Sequence, residues 1–460
     1  MSGTGSTHAG LLLAYYGDDF TGSTDAMEAL TAAGVPTILC LTQPTPDLLK
    51  RFPDVRCVGM AGSSRGRTPS WMDEELPKTF EGLAALGAPI LHYKICSTFD
   101  SSPGVGSIGR AIDIGVKSMG GRWSPTIVGA PRLKRYQAFG NLFAASGATT
   151  YRLDRHPTMS RHPVTPMHES DLRLHLTEQT SRRIELIDLL MLREGHARSR
   201  LAELAAEDVP VVLIDVLDDR TLLEAGRLVW ENRDSGIFSA SSSGLSYALA
   251  AYWKSMGLLP DAEGLPIASE VDVIAGVSGS CSPNTAAQIQ WARNHGFSVQ
   301  RLQVRQALGS TTRESEINRC VQLAAEAIVA GTSALVFSAE GPDDETVTGF
   351  DELAETAGLS RGDAARAIGT ALAEVMRRLL DTVPLSRVVV AGGDSSGEVA
   401  SKLGIDALSV AASLVPGAPL CRAWSDQKGR DGLEIVLKGG QMGTASFFGA
   451  VRAGRLLVDD

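Results

Sequence analysis

Two adjacent carboxylates follow the first apolar run of the chain. Residues 11–16 are apolar, Asp18 and Asp19 come next, and a helical pattern runs from about Ser23 to Ala33. In doubly wound sheets, the edge where a strand ends and a helix begins is where ligands bind. Paired acids at that edge can orient hydroxyl groups, accept a proton or hold a metal. The alternative is helix capping by Asp19 or Thr21, which needs only one acid.

A second polar segment, residues 94–106, is dense in hydroxyl groups and glycine and follows a predicted strand at 89–93. A lysine there is a point charge for an anion, and hydroxyl and amide groups donate hydrogen bonds to it. The alternative is a Ser/Gly turn beside a surface lysine. Arg65, after a predicted strand at 55–61, is a similar candidate. The candidate binding residues of this segment are Lys94, Ser97, Thr98 and Asp100.

The stretch from Tyr151 to His175 is rich in Arg, His and Pro and has no clear period, which predicts a long functional loop. Arginines suit bidentate recognition of a carboxylate. Its histidines are six residues apart and lack cysteine or paired acids beside them, so the spacing does not indicate a metal site. A solvated loop is the alternative. The candidate substrate-binding residues of the loop are Arg155, Arg161, His162 and Thr165.

Three glycine-rich turns, at 278–283, 392–397 and 438–443, each follow a predicted strand and precede a helix in the second half. Glycine lets the backbone approach a phosphate, and a helix N-terminus favours negative charge. Three such turns in one half therefore indicate a ligand that bears phosphate. The candidate nucleotide-binding residues are Ser280, Ser282, Gly392, Gly393, Ser395, Gly397, Lys438, Gly439, Gly440 and Gly443.

Strands and helices alternate along both halves, which predicts an α/β fold of two doubly wound domains with mostly parallel sheets. A polar segment interrupted by proline and glycine predicts a linker at 256–270, between domains at 1–255 and 271–460. The predicted strands are 11–16, 36–41, 55–61, 89–93, 126–130, 211–215, 271–277, 298–304, 333–338, 387–391 and 433–437.

Composition narrows the class of protein. The 460 residues are 43% hydrophobic and carry a formal net charge of -10, which indicates a globular chain and disfavours a nucleic-acid binder. The six cysteines form no C-x-x-C pair, no apolar run reaches about 18 residues, and the first ten residues are a poor signal peptide. We therefore expect a cytoplasmic protein with no membrane or nucleic-acid partner. A P-loop motif is absent, and no G-x-G-x-x-G follows the first strand of either half.

Taken together, these motifs resemble the four-carbon acid sugar kinase family over nearly the whole chain. The resemblance implies an N-terminal domain, 1–255, that binds tetronate-like acids and a C-terminal domain, 271–460, that binds ATP, with transfer of phosphate to a substrate hydroxyl. The motifs that carry it, in order, are Asp18-Asp19-x-Thr21-Gly22, Lys94 with Ser97-Thr98, Thr165-Pro166-Met167, Gly279-Ser280-Cys281-Ser282, Gly392-Gly393-Asp394-x-Ser396-Gly397 and Lys438-Gly439-Gly440-x-x-Gly443.

One departure concerns the substrate. Many members read Lys-x-Asp-Ser-Thr-x-Arg-Gly, whereas here Cys96 replaces the acid and Phe99-Asp100-Ser101 replaces the last three residues. This sequence is similar to a branch acting on oxidised branched acids such as 3-oxo-isoapionate.

The interpretation is an ATP-dependent kinase for a small sugar acid. Mg²⁺ would lie between the ATP phosphates and carboxylates, and the general base would be Asp19 or Asp394. Two alternatives stay open, an NAD-dependent enzyme acting on a hydroxy acid and a non-catalytic sugar-acid sensor. Besides the sugar acid, the expected partner of the kinase is a second copy of the chain in a homodimer.

Overall fold

The computed structural model divides into two compact units, Met1–Gly264 and Leu265–Asp460. Only the backbone of Asp394 is described. Within the described part of the chain, no helix is long and apolar enough to cross a membrane. The described residues are 10–162, 164–206, 208–233, 236–259, 264–415 and 417–457.

The first unit alternates strands and helices, with a run of short strands in its middle. Its strands are β1 (Leu13–Gly17), β2 (Thr37–Cys40), β3 (Cys57–Ala61), β4 (Ile90–Lys94), β5 (Ser124–Thr126), β6 (Arg135–Ala138), β7 (Asn141–Ser146), β8 (Thr149–Arg152), β9 (Ile184–Ile187), β10 (Val211–Ile214) and β11 (Ile237–Ser241). Its helices are α1 (Phe20–Ala32), α2 (Pro46–Leu49), α3 (Pro69–Ala84), α4 (Ile108–Met119), α5 (Leu172–Thr177), α6 (Leu189–Glu194), α7 (Ala197–Leu204), α8 (Asp219–Glu231) and α9 (Ser243–Ser255).

The main sheet of this unit has the order β11-β4-β1-β3-β2, and every pairing is parallel. Its central strands are buried on both faces, as parallel strands covered by helices are. The register pairs Gly17 with Ala61 and with Lys94, and Lys94 with Ser241. The segments that follow β1, β3, β4 and β11 therefore start from one edge of the sheet.

Two smaller sheets complete the first unit, a parallel one of order β5-β10-β9 and an antiparallel one of order β6-β7-β8. The β6–β7 hairpin turns through Phe139 and Gly140, both with positive φ (51° and 78°). The carboxylate of Asp215, just after β10, accepts both of their amides at 2.5 and 3.1 Å. A buried carboxylate from a distant strand thus holds this hairpin in place.

The strand predicted at 126–130 is wrong, because β5 ends at Thr126. Beyond Thr126 the backbone amides donate hydrogen bonds to side chains and not to a neighbouring strand. The Ile127 amide donates to Ser241 Oγ at 2.8 Å, and the Val128 amide donates to Gln137 Oε1 at 3.3 Å.

The second unit has a similar alternation. Its strands are β12 (Ala275–Ser278), β13 (Ser298–Arg301), β14 (Ala334–Phe337), β15 (Arg387–Ala391), β16 (Ala407–Val415), β17 (Ala418–Trp424) and β18 (Glu434–Lys438). Its helices are α10 (Pro283–Asn294), α11 (Val304–Leu308), α12 (Arg313–Val329), α13 (Glu345–Thr348), α14 (Phe350–Thr356), α15 (Arg361–Thr382), α16 (Gly393–Lys402) and α17 (Phe447–Ala453).

The sheet of this unit has the order β16-β17-β18-β15-β12-β14-β13. The strands from β18 to β13 are parallel, and β17 pairs antiparallel on both sides. Lys438 pairs with Ala391, which pairs with Ser278, so the three glycine-rich turns leave the sheet at one edge. The predicted α/β class with mostly parallel sheets is confirmed.

Several predicted boundaries are wrong. The strand predicted at 298–304 ends at Arg301, because α11 begins at Val304. The one predicted at 271–277 begins only at Ala275. The stretch predicted as a long loop contains the end of β8, two short 3₁₀ turns and the start of α5.

Candidate functional site

Asp18 and Asp19 follow β1 directly, and one guanidinium joins them. Arg65 lies in a 3₁₀ turn, Ser64–Gly66, after β3. It donates to Asp18 through Nε at 3.1 Å and Nη2 at 2.7 Å. It also donates to Asp19 through Nη1 at 2.7 Å and Nη2 at 2.9 Å. The structure brings these three candidate residues together through four charge-assisted hydrogen bonds.

The two carboxylates differ in their surroundings. Asp18 is only 3% exposed, and burial raises its pKa while Arg65 opposes the rise. Asp19 caps α1, because its Oδ1 accepts the Gly22 amide at 2.8 Å and its Oδ2 accepts the Thr21 hydroxyl at 3.0 Å. Asp19 therefore serves both as a helix cap and as a partner of Arg65.

Lys94, at the end of β4, belongs to the same cluster. Its Nζ lies 3.7 Å from Asp25 Oδ2, and Ser243 donates to that same oxygen. The cluster thus joins three carboxylates to two cations and carries one net negative charge. Such a site favours hydroxyl donors over a carboxylate. The sequence analysis missed Asp25. Its only signal is its place in the predicted helix, seven residues after Asp18 in the sequence.

The segment after Lys94 places its polar groups in a chain of hydrogen bonds. Cys96 Sγ lies 3.0 Å from Thr98 Oγ1, which donates to Asp100 Oδ1 at 2.7 Å. Burial and the nearby Asp100 raise the pKa of the Cys96 thiol, so it is neutral. Phe99 has φ 59°, an uncommon value for a bulky residue, and its ring is fully buried. Ser97 is half-buried.

The candidate residues of the 151–175 stretch make other contacts. Arg155 is exposed and its nearest carboxylate, that of Asp154, is 3.9 Å away. Arg161 is also exposed. His162 Nδ1 accepts the Thr165 amide at 3.1 Å, which closes a local turn. The described contacts do not join these residues to the Arg65 cluster.

In the second unit the three glycine-rich turns bond to one another. The Gly279 amide donates to Ala391 O at 3.0 Å, and the Gly392 amide donates to Lys438 O at 2.9 Å. Gly392 has φ 123°, which side chains rarely adopt. A serine just before a proline is the sequence pattern of a helix start, and Ser282 does cap α10 by accepting the Thr285 amide at 3.0 Å.

Lys438 is fully buried beneath the third turn. Its Nζ donates to Thr285 Oγ1 at 3.0 Å and to the carbonyls of Gly439 and Gly440 at 3.1 and 3.5 Å. No described carboxylate pairs with it, and burial lowers its pKa to about 8. At neutral pH this turn therefore holds a largely protonated cation that is not paired with any described carboxylate.

The glycines of these turns face different surroundings. A Cβ at Gly440 would lie 2.7 Å from Ser280 Oγ, and one at Gly279 would collide with the hydroxyl of Ser395, so packing requires both glycines. A Cβ at Gly393, the first residue of α16, would meet no atom within 4 Å. The space beside Gly393 is therefore open, at a helix N-terminus whose dipole favours an anion.

Side chains of α10 hold the third turn. Asn284 Nδ2 donates to Gly443 O at 2.9 Å, and Gln288 Nε2 donates to Met442 O at 2.9 Å. Gly443 itself has φ 83°. The sequence analysis missed both amide side chains. Gly397 lies inside α16, one turn after Gly393.

Known proteins match both units. The family of sugar-binding N-terminal domains matches residues 13–249, and that of nucleotide-binding C-terminal domains matches residues 275–448. The 3-oxo-isoapionate kinase of Paraburkholderia graminis is 70% identical over 99% of this chain and 97% of its own length. The 3-oxo-tetronate kinase of Pseudomonas savastanoi pv. phaseolicola is 27% identical over 95% and 96%.

The fold also occurs among solved structures. Haemophilus influenzae protein HI1011 has a TM-score of 0.71 and 22% identity, covering 95% of this chain and 99% of its own. At this identity the likeness shows the fold alone.

We predict that Arg65→Met lowers the free energy of unfolding at pH 7 by about 3–5 kcal/mol, because Asp18 is left as a buried charge without a partner. The loss should shrink toward pH 4, since protonated Asp18 needs no cation. Urea unfolding at both pH values measures it. Adding Asp18→Asn to the variant should restore part of the lost stability. If the losses of stability from the two substitutions simply add, and neither loss depends on pH, the explanation is wrong.

Proposed function

Since the chain belongs to the four-carbon acid sugar kinase family, we propose that it transfers the γ-phosphoryl group of ATP to a hydroxyl group of 3-oxo-isoapionate. The broader prediction, a kinase for a small sugar acid, is confirmed by its kinase relatives. The observation that carries the particular acid is the 70% identity to a 3-oxo-isoapionate kinase over 99% of the chain. If two proteins with sequences this similar acted on different acids, the residues of their acid-binding sites would have to differ.

The geometry of the second unit supports ATP as the donor. Phosphoryl transfer requires donors that hold the phosphates and neutralise their charge. The start of α16, open beside Gly393, supplies a helix N-terminus for the phosphates, and buried Lys438 supplies a cation that no described carboxylate pairs with. Because Lys438 Nζ already donates to three protein oxygens, it acts on a nearby phosphate through its charge, and that attraction offsets the burial of the cation. The turns at 278–283 and 438–443 then form the rest of the phosphate site.

We expect Mg²⁺ to enter with the nucleotide instead of occupying a site made by protein side chains alone. The described residues contain no group of three acids, histidines or cysteines placed to hold a metal. Arg65 already engages the oxygens of Asp18 and Asp19. Phosphate oxygens would therefore hold the ion, as they commonly do for Mg²⁺, and its charge would neutralise part of the charge on the transferred group.

In the acid site, the cluster around Arg65 orients hydroxyl groups. Its net negative charge suits hydrogen-bond donors, and Asp19 is held in position by the α1 amide and by Arg65. Asp19 is a poor base, because four donors occupy the lone pairs that would accept a proton. We assign the base role to Asp394, the second residue of α16.

The test of this function is an ADP-release assay with Mg²⁺ and ATP across 3-oxo-isoapionate, 3-oxo-tetronate, threonate and erythronate. We expect the highest kcat/KM for 3-oxo-isoapionate and no turnover after Mg²⁺ is chelated. Acid binding without ADP release would indicate a sensor, and a spectral change with a nicotinamide cofactor would indicate a dehydrogenase. Light scattering on the same sample tests the proposed homodimer.

Asp394→Asn should lower kcat by about 10²–10⁴-fold, the usual loss when a general base is removed. Asp19→Asn should cost less, because an amide still caps α1. Asp363→Asn, which removes an acid from the first turn of α15, is the matched control and should leave kcat unchanged. A larger loss for Asp19→Asn than for Asp394→Asn would reverse the assignment.

Gly393→Val should weaken ATP binding by about 10- to 150-fold, because the side chain would displace a phosphate from the α16 amides. The acid should bind as before. Gly362→Val is the matched control, since a Cβ there in the first turn of α15 meets only Ser360 Oγ, at 4.0 Å. Calorimetry with ATP measures both variants. Equal affinity of the two folded variants would refute the placement of the phosphates.

A further inference from the structure

A substrate carboxylate needs a cation that no protein carboxylate has already engaged. In the first unit, Arg65 is bound by Asp18 and Asp19, and Lys94 lies beside Asp25. Residues 95–106, which follow Lys94, contain no lysine or arginine. The cation that recognises the acid must therefore come from another segment.

Backbone contacts place one such segment beside this loop. The Ile95 amide donates to Ser241 O at 2.9 Å, and the residue after Ser241 donates its amide to Ile127 O at 3.0 Å. Three residues further on, Ala130 exchanges two backbone hydrogen bonds with Arg135, at 2.9 and 3.2 Å. The start of β6 therefore lies at the same edge of the main sheet as the loop after Lys94.

The guanidinium of Arg135 is held on one side only. Its Nη1 donates to the carbonyls of Leu133, Lys134 and Ala145 at 3.2, 3.2 and 3.4 Å. Its Nε is buried and has no hydrogen-bond partner among the described residues. The described acids form no ion pair with Arg135. One edge of the guanidinium is thus fixed and the other edge, Nε with Nη2, is unused.

The environment of that unused edge contains polar groups of the loop. Burial lowers the pKa of Arg135, and the carboxylate of Asp100 opposes the change, so Asp100 is near enough to act on the guanidinium. The thiol of Cys96 is neutral, so no charge at that position pairs with the guanidinium. Asp100 already receives the Thr98 hydroxyl on Oδ1 and has Oδ2 available for a hydroxyl donor.

We propose that Arg135 binds the carboxylate of the sugar acid through Nε and Nη2, while Asp100 accepts a hydrogen bond from a neighbouring substrate hydroxyl. This inference rests on the proposed function of the first unit as the acid site. It makes Arg135 a specificity residue that selects hydroxy acids over neutral polyols. Arg155 and Arg161 are exposed, and exposed ion pairs contribute little.

The test compares Arg135→Gln and Arg135→Lys with wild type, using 3-oxo-isoapionate and its neutral methyl ester. Arg135→Gln should raise KM for the acid by about 10- to 150-fold, the value of a charge-assisted hydrogen bond. KM for ATP and the affinity for the ester should not change. Arg135→Lys keeps the charge but not the planar pair of donors, so its loss should be smaller and also specific to the acid.

Arg132→Gln is the matched control, because Arg132 is exposed on the same segment and its guanidinium lies over the Tyr247 ring. It should leave both affinities unchanged. Equal losses for acid and ester, or an acid-specific loss with Arg161→Gln and none with Arg135→Gln, would overturn the proposal. If Arg135→Gln does not melt cooperatively, Arg135→Lys decides the question on the same criteria.

Calorimetric binding of the acid, measured without nucleotide, separates this inference from the proposed function. Wild-type protein that binds 3-oxo-isoapionate but releases no ADP would refute the kinase assignment and still allow the Arg135 comparison. Wild-type protein that turns the acid over, with Arg135→Gln unchanged, would refute only the role of Arg135.

Discussion

The bond network of Arg65 determines the chemistry of the first unit. A carboxylate as buried as Asp18 is stable in its charged form only beside a cation. Arg65 is that cation, and it binds the carboxylate of Asp19 as well. This ties the end of β1 to the turn after β3 and fixes the start of α1. The two carboxylates also neutralise the positive charge of Arg65, so the cluster is suited to hydroxyl groups and poorly suited to a further carboxylate. In the proposed acid site, a different cation therefore recognises the carboxylate.

The second unit uses the same edge of a parallel sheet with the opposite charge balance. Lys438 is buried, no described carboxylate pairs with it, and glycine at 279, 392 and 440 lets three turns pack closely around it. A chain with a net charge of -10 repels anions at long range. A buried cation that no described carboxylate pairs with, near an open helix N-terminus, opposes that repulsion locally, as the proposed binding of ATP requires.

The parts of the site that sequence could predict are those encoded locally. Ser282 before Pro283 is read as a helix cap from adjacent residues, and the cap is present. Asp25 and Arg135 could not be found in this way, because their roles depend on which strands pair. The strand predicted at 126–130 failed for a related reason. Its apolar residues fit a strand, but Gln137 and Ser241 take the backbone hydrogen bonds.

This difference follows from how the two ligands are recognised. A phosphate is bound largely by backbone amides, so its site needs glycine and helix starts at fixed spacing, and such spacing is visible in one sequence. A sugar acid is bound by side chains from separate segments, and in the proposed site these are the loop after Lys94 and the start of β6. The glycine-rich turns therefore indicate a phosphate-bearing ligand from sequence alone. In the proposed acid site, the choice of substrate depends on residues such as Asp100 and Arg135, whose positions are set only when the chain folds.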